Sequence, residues 1–211
     1  MALAFTLPAL IVSPEEDPRR AWVGERELIG RSQAGDVEAF NRLVEHFQQR
    51  VYAVCVRMLG PTDADDATQE VFLAAFHSIR HYRGGSFLAW LLRIAKNQCI
   101  DQLRRRKRTW HRSLDADAAA IDPVPLQVPD PGEAPEDRVL RAELAQELQQ
   151  RLAELEAEQR LVVILSDIEG YRYDEIVAAT GWPLGTVKSR LSRGRARLRG
   201  VVRAGSLRPV L

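Results

Sequence analysis

Residues 173–199 read YDEIVAATGWPLGTVKSRLSRGRARLR, and the spacing of their apolar residues decides the fold. Ile176, Val177 and Ala179 belong to a short helix, and Thr180, Gly181 and Trp182 make a tight turn. Pro183 stands where a helix takes its first residue, because its fixed φ suits the start and its missing N–H is not needed there. In the helix that follows, Leu184, Val187, Leu191 and Leu198 fall on one face, with Thr186, Lys188, Ser189, Arg190, Arg193 and Arg197 on the others. From Thr186 to Arg208 there are eight Lys and Arg and no Asp or Glu. A merely solvated helix face normally intersperses acids among its bases. The pattern is that of a helix-turn-helix whose second helix suits phosphates and base edges.

The net charge of the 211-residue chain, +1, conceals strong segregation. Residues 61–79 carry net −4, residues 80–112 net +9 and residues 113–160 net −8, before the basic C-terminal helix. Two basic blocks separated by an acidic one suggest two contacts with one polyanion. The hydrophobic share, 45%, is ordinary for a soluble globular chain. The apolar run at residues 1–12 is too short to span a bilayer and lacks a basic segment before it, so a cytoplasmic location is expected. Cys55 and Cys99 sit at small apolar positions in helical patterns and read as buried free thiols. No Cys/His cluster offers metal-ligand spacing, and Tyr82-Arg83-Gly84-Gly85 lacks the Lys-Ser/Thr of a nucleotide loop. No catalytic residue, metal or cofactor is expected.

Apolar residues at three- and four-residue steps (Ala39, Leu43, Phe47, Val51, Val54, Met58) predict a helix over 27–60, with Asp36 as an N-cap and Gly60-Pro61 as the stop. Asp63 or Asp65 starts a second helix through Ile79, with Ala67, Val71, Ala74, Ala75 and Ile79 inward. Tyr82 to Ser86 is a glycine loop. A third helix runs from Phe87 to about Lys107, with Leu88, Leu91, Leu92, Ala95, Cys99 and Leu103 inward. Five prolines and several Asp between residues 113 and 135 mark a linker. Helices are expected again over Glu136 to about Ala153 and over Ala157 to Ile168, stopped by Gly170. No strand pattern occurs. The expected fold class is all-α: two small helical domains on a flexible Pro/Asp-rich linker, the second containing the helix-turn-helix. The boundaries read as a weakly ordered extension over 1–26, a first domain over 27–112, the linker over 113–136, a second domain over 137–205 and a tail over 206–211.

Three stretches in this order carry a family resemblance. LIGRSQAGDVEAFNRLVEHFQQRVYAVCVRMLG resembles the opening helices of the extracytoplasmic-function (ECF) group of bacterial RNA polymerase sigma factors. DADDATQEVFLAAFHSIRHYRGGSFLAWLLRIAKNQCIDQLRRRKR resembles that group's core-binding and promoter-melting segment, and the helix-turn-helix resembles its upstream promoter reader. The resemblance covers roughly residues 27–112 and 137–200. It implies a transcription initiation factor that binds core RNA polymerase and promoter DNA and is no enzyme. Its first domain would melt the downstream element and its second would read the upstream element. Relatives are often held inactive by an anti-sigma factor, a partner that the resemblance also brings into view.

The resemblance places core-polymerase binding on Asp66, Gln69, Glu70 and Phe72. It places downstream-element binding on Arg83, Gly84, Gly85, Ser86 and Phe87, with Arg93, Lys96, Asn97, Arg104 and Arg105 holding the strand. Opened bases need a pocket, a surface for stacking and backbone close enough to read an edge, and two glycines permit that approach. Trp90 reads as core more than platform. Helix-turn-helix contacts fall on Thr186, Lys188, Ser189, Arg190, Arg193 and Arg197. Trp182 departs from the family pattern, in which a small polar cap is frequent before the proline. The competing reading is a stand-alone helix-turn-helix regulator, which would need neither the acidic helix nor the glycine loop.

Overall fold

The computed structural model describes residues 24–112 and 146–203, with side chains placed for 24–108 and 146–199. The expected linker over 113–136, the tail over 206–211, residues 1–23 of the expected extension, and residues 137–145 and 204–205 of the expected second domain lie outside the described residues. Every regular element among the described residues is helical.

The stretch expected as one helix over 27–60 is two. Helix α1 (Glu25–Gln33) ends at Ala34, and Gly35 at φ 99° turns the chain through a region that favours glycine. Asp36 then caps α2 (Val37–Leu59), its Oδ1 accepting from the Ala39 N–H at 3.1 Å. That bond and the Arg31 guanidinium, 2.6 Å away, hold the Asp36 carboxyl below the usual carboxylate range. Gly60, at φ 88°, stops α2, and α3 (Pro61–Ser78) begins at once with Pro61 in its first turn, earlier than Asp63 or Asp65. A single 3-10 turn (Ile79–His81) and the glycine loop lead into α4 (Phe87–Arg112), which runs five residues beyond the expected end.

The apolar stripe of α2 is buried as its periodicity predicts. Phe40, Val44, Cys55, Val56 and Leu59 are buried as well, because α2 is flanked by α1, α3 and α4. The Cys55 and Cys99 thiols meet between α2 and α4 with sulfurs 3.9 Å apart, both buried and free.

The second group of helices is α5 (residues 146–153), α6 (Ala157–Val163), α7 (Tyr173–Thr180) and α8 (Leu184–Arg203). The helix expected to Ile168 changes after Val163 into a π-helical turn (Ile164–Ile168), before Gly170 at φ 68° reverses the chain. Leu161 to Leu165 are all buried, so α6 is enclosed rather than one-faced. Gly194 lets α8 close on α6: a Cβ there would stand 2.8 Å from the Val163 side chain.

The two groups pack on each other, α7 on α4 and α6 with its π turn on α2. The last carbonyls of α2 run short of helical donors, Val56 O taking the Gly60 N–H at 2.9 Å, and side chains from outside supply the rest. Gln149 Nε2 donates to the Val56 and Arg57 carbonyls at 3.1 and 3.2 Å. Arg160 Nη1 donates to Met58 O at 2.6 Å, and Arg106 Nη1 to Leu59 O at 3.2 Å. Gln149 and Arg160 are both buried. Burial, and then the nearby Arg106 charge, press the Arg160 pKa down to about 10, which leaves it charged at neutral pH.

Arg160 also bonds the Ala153 carbonyl at 2.6 Å, so it ties α5 to the end of α2. Arg160→Leu should lower unfolding stability by about 2–4 kcal/mol, since the buried Met58 carbonyl and the part-buried Ala153 carbonyl lose a charged donor. Urea denaturation followed by circular dichroism measures the loss, and a change below about 0.5 kcal/mol would contradict this role.

Candidate nucleic-acid interface

On α3, Asp66, Gln69 and Glu70 are exposed and share one face at helical spacing. Phe72 is buried in the core and supports that face from beneath instead of lining it. The exposed apolar side chain of that face is Leu73, 53% exposed and seven residues on from Asp66. Leu73 was legible as the apolar residue out of phase with the inward stripe of Ala67, Val71 and Ala75.

The loop between the 3-10 turn and α4 is held by its own bonds. Tyr82, itself buried, donates its hydroxyl to Gly85 O at 2.7 Å. Gly84 and Gly85 take φ 101° and 94°, and a Cβ at either would stand in open space. Ser86 Oγ accepts from the Ala89 N–H at 3.2 Å and so caps α4. Phe87 is 1% exposed, packed against Phe47, Tyr82 and Trp90 at ring separations of 5.3–5.4 Å. In this conformation its ring offers no stacking platform. Arg83 is exposed and donates to Arg80 O at 2.7 Å.

Beyond the loop, the polar face of α4 presents Arg93, Lys96, Asn97, Arg104 and Arg105. Arg93 Nη2 donates to Ala178 O at 2.7 Å, and Lys96 Nζ to Thr180 O at 2.8 Å. Arg104 reaches Glu158 at 3.2 Å and Asp101 at 3.6 Å. Burial first, then the Arg93 and Arg190 charges, lower the Lys96 pKa. The structure thus sets two of the α4 cations, Arg93 and Lys96, against the helix-turn-helix. Asp66, Gln69 and Glu70 share no hydrogen bond or ion pair with these cations among the described residues.

In the helix-turn-helix, Gly181 at φ 73° ends α7, and Thr180 Oγ1 accepts from the Trp182 N–H at 3.2 Å. Pro183 caps α8 rather than opening it, its carbonyl accepting from Thr186 and Val187 at 2.9 and 3.1 Å. Val187 and Leu191 are buried and Leu198 is half-buried, but Leu184 is 45% exposed because it precedes the packed turn. Lys188, Ser189, Arg193 and Arg197 are exposed, and Thr186 and Arg190 half-buried. Arg190 lies 3.9 Å over the Trp182 ring, with Lys96 5.5 Å from the same ring. Arg195 is already paired: its guanidinium grips both oxygens of Asp167 at 2.9 and 2.5 Å.

Residues 43–109 match the Sigma-70 region 2 family and residues 145–198 match Sigma-70, region 4. The chain is 38% identical to the ECF RNA polymerase sigma factor SigE of Mycolicibacterium smegmatis, over 89% of this chain and 69% of that one. It is 35% identical to the ECF RNA polymerase sigma factor SigW of Bacillus subtilis, over 84% of this chain and 96% of that one. Among solved structures it resembles CnrH in complex with the cytosolic domain of CnrY, with TM-score 0.59 and 26% identity, over 86% of this chain and 98% of that one. It also resembles the sigma factor RpoE in complex with the anti-sigma factor NepR from Bartonella quintana, with TM-score 0.59 and 25% identity, over 79% of this chain and 98% of that one.

Arg193 and Arg195 should separate by assay. Arg195→Ala should lower stability by under about 1 kcal/mol, as for a partly exposed pair, and leave the salt slope of DNA binding near wild type. Arg195 holds the Asp167 pKa low, so the stabilisation is present above the ordinary carboxylate pKa of about 4. It fades as pH falls through the lowered value, and the two proteins should converge in acid. Arg193→Ala should instead reduce the salt slope by about one. Denaturation at several pH values and anisotropy at several salt concentrations distinguish the two.

Proposed function

The chain belongs to the ECF RNA polymerase sigma factors, and from that membership we propose a division of labour among its exposed faces. Core polymerase binds the α3 face of Asp66, Gln69 and Glu70, with Leu73 as its apolar contact. The melted downstream strand binds the loop Arg83, Gly84, Gly85 and Ser86, with Phe87 as the buried prop beneath it. Arg93, Lys96, Asn97, Arg104 and Arg105 hold the phosphates of that strand. The upstream element is read as duplex by Thr186, Lys188, Ser189, Arg190, Arg193 and Arg197.

The observation that carries this reading is the segregation of charge by helix. The α3 face presents carboxylates and a leucine, and neither Asp66 nor Glu70 is ion-paired among the described residues, which repels phosphate and suits a basic protein partner. The cations stand on α4 and α8 instead. Opening a promoter requires unstacking of a few kcal/mol, recovered where an extruded base meets a receptive surface. The open space over Gly84 and Gly85 admits a base to the loop backbone.

The chain works without catalysis of its own, in the cytoplasm where polymerase and promoters are. No helix among the described residues is long and apolar enough to cross a membrane. Two solved relatives are bound to CnrY and to the anti-sigma factor NepR, and an inhibitor of that kind is proposed for this chain.

A gel shift with and without core polymerase tests the reading. Specific promoter binding should need core, and tight sequence-specific binding by the isolated chain would favour a stand-alone regulator. Asp66→Arg with Glu70→Arg should weaken co-purification with core by roughly tenfold or more, the factor that ~1.4 kcal/mol represents, with helical circular dichroism intact. Gly85→Val places a branched side chain at φ 94°. It should spare recruitment to duplex promoter and abolish permanganate-reactive opening. A folded Gly85→Val protein that opens the promoter normally would contradict the role of the loop.

A further inference from the structure

Two cations assigned above to promoter phosphates, Arg93 and Lys96, are already bonded to the helix-turn-helix in this structure. We propose that the α7–α8 turn is an intramolecular docking site for the promoter-strand face of α4, so that the free chain is closed and promoter DNA competes with the turn for the same side chains. This deepens the function proposed for α4 and rests on it.

The acceptors are Ala178 O and Thr180 O, in the last turn of α7. Carbonyls at a helix C-terminus lack intrahelical donors and carry the negative end of the helix dipole. They present to Arg93 and Lys96 what a phosphate would present: fixed oxygens bearing partial negative charge. The contacts of 2.7 and 2.8 Å occupy those donors directly. The Arg93 guanidinium lies over Gly181, 3.6 Å from where a Cβ would stand, which is ordinary packing distance.

Trp182 completes the junction. Its ring takes Lys96 of α4 and Arg190 of α8, so one indole engages a cation from each DNA-directed helix. A small polar residue at this position could not do so.

The closed state is also built to be released. Arg93, Lys96 and Arg190 converge with no carboxylate paired to any of them among the described residues, and their mutual repulsion contributes to the lowered Lys96 pKa. Arg190 Nη1 is buried without a hydrogen-bond partner among the described residues, which disfavours closure. A polyanion relieves both defects, and so it is the ligand to which this junction yields.

The test uses the full chain with Trp182→Ser and with Arg93→Ala/Lys96→Ala, each checked for wild-type helicity. Small-angle X-ray scattering at low salt should give a larger radius of gyration for both variants than for wild type. The double variant alters one exposed and one half-buried position of α4, neither in the core, and so keeps this readout available if Trp182→Ser folds poorly. The DNA probe is a labelled mixed-sequence single strand of about 20 nucleotides, followed by anisotropy. Trp182→Ser should bind it at least about threefold more tightly, since a cation–π contact is worth a factor of roughly 2 to 30 in the open population. Adding Arg93→Ala/Lys96→Ala to Trp182→Ser should remove the gain.

Unchanged dimensions in the folded variants, or expansion with no gain in DNA affinity for Trp182→Ser, would overturn the competition. A gain that survives loss of Arg93 and Lys96 would instead overturn the phosphate role of α4 and leave the docking intact.

Discussion

The arrangement of this molecule depends on the unpaired carbonyls at the ends of two helices. The last turn of α2 is bonded by Gln149 and Arg160 from the second group of helices and by Arg106 from α4. The last turn of α7 is bonded by Arg93 and Lys96 from the first group. Each half thus supplies donors for a helix terminus of the other. Hydrogen bonds with a charged donor are worth about 1.5–3 kcal/mol each when buried, and the dipole of the receiving helix adds to them. The apolar contact of α6 and its π turn with α2 supplies area, and the caps fix the register in which that area meets.

The two caps differ in kind, and the difference bears on function. At α2 two of the three donors, Gln149 and Arg160, are buried, Arg106 is exposed, and Arg57 pairs with Glu169 at 2.7 Å alongside them. At α7 the Arg93 donor is exposed, Lys96 is half-buried, and like charges crowd together with no carboxylate paired to them among the described residues. One junction is therefore suited to hold and the other to exchange its acceptors. A sigma factor needs this combination if its DNA-directed faces are to stay covered until polymerase and promoter are at hand.

Much of the fold was legible because period and punctuation agreed. The α2 stripe, the Asp36 cap, the Gly60 stop and the Gly181 turn all follow from local rules, and the structure bears them out. The break at Gly35 was missed because the apolar steps continue across it and nothing in the spacing marks a positive φ. The two groups were expected to hang apart on a tether, but they pack together. That packing was hidden because Gln149 and Arg160 are polar residues in an acidic block, and polarity alone reads as solvent exposure. Phe72 and Phe87 were assigned as contacts from a motif, while their burial depends on long-range neighbours such as Phe47 that no local pattern reveals. The cations of α4 and α8 were legible as a set. Their separation into paired ones, such as Arg195, and exposed ones, such as Arg193, was not, because Asp167 lies 28 residues from Arg195 in the chain.

Promoter-directed initiation by core polymerase carrying this chain is open to direct measurement. Run-off transcription on a library of genomic fragments, with core alone and with core plus the purified protein, tests it most directly. The expected result is a set of discrete start sites that appear only when the protein is added, preceded by two shared sequence elements at a fixed separation. Transcripts identical with and without the protein, or new starts that share no element, would contradict it.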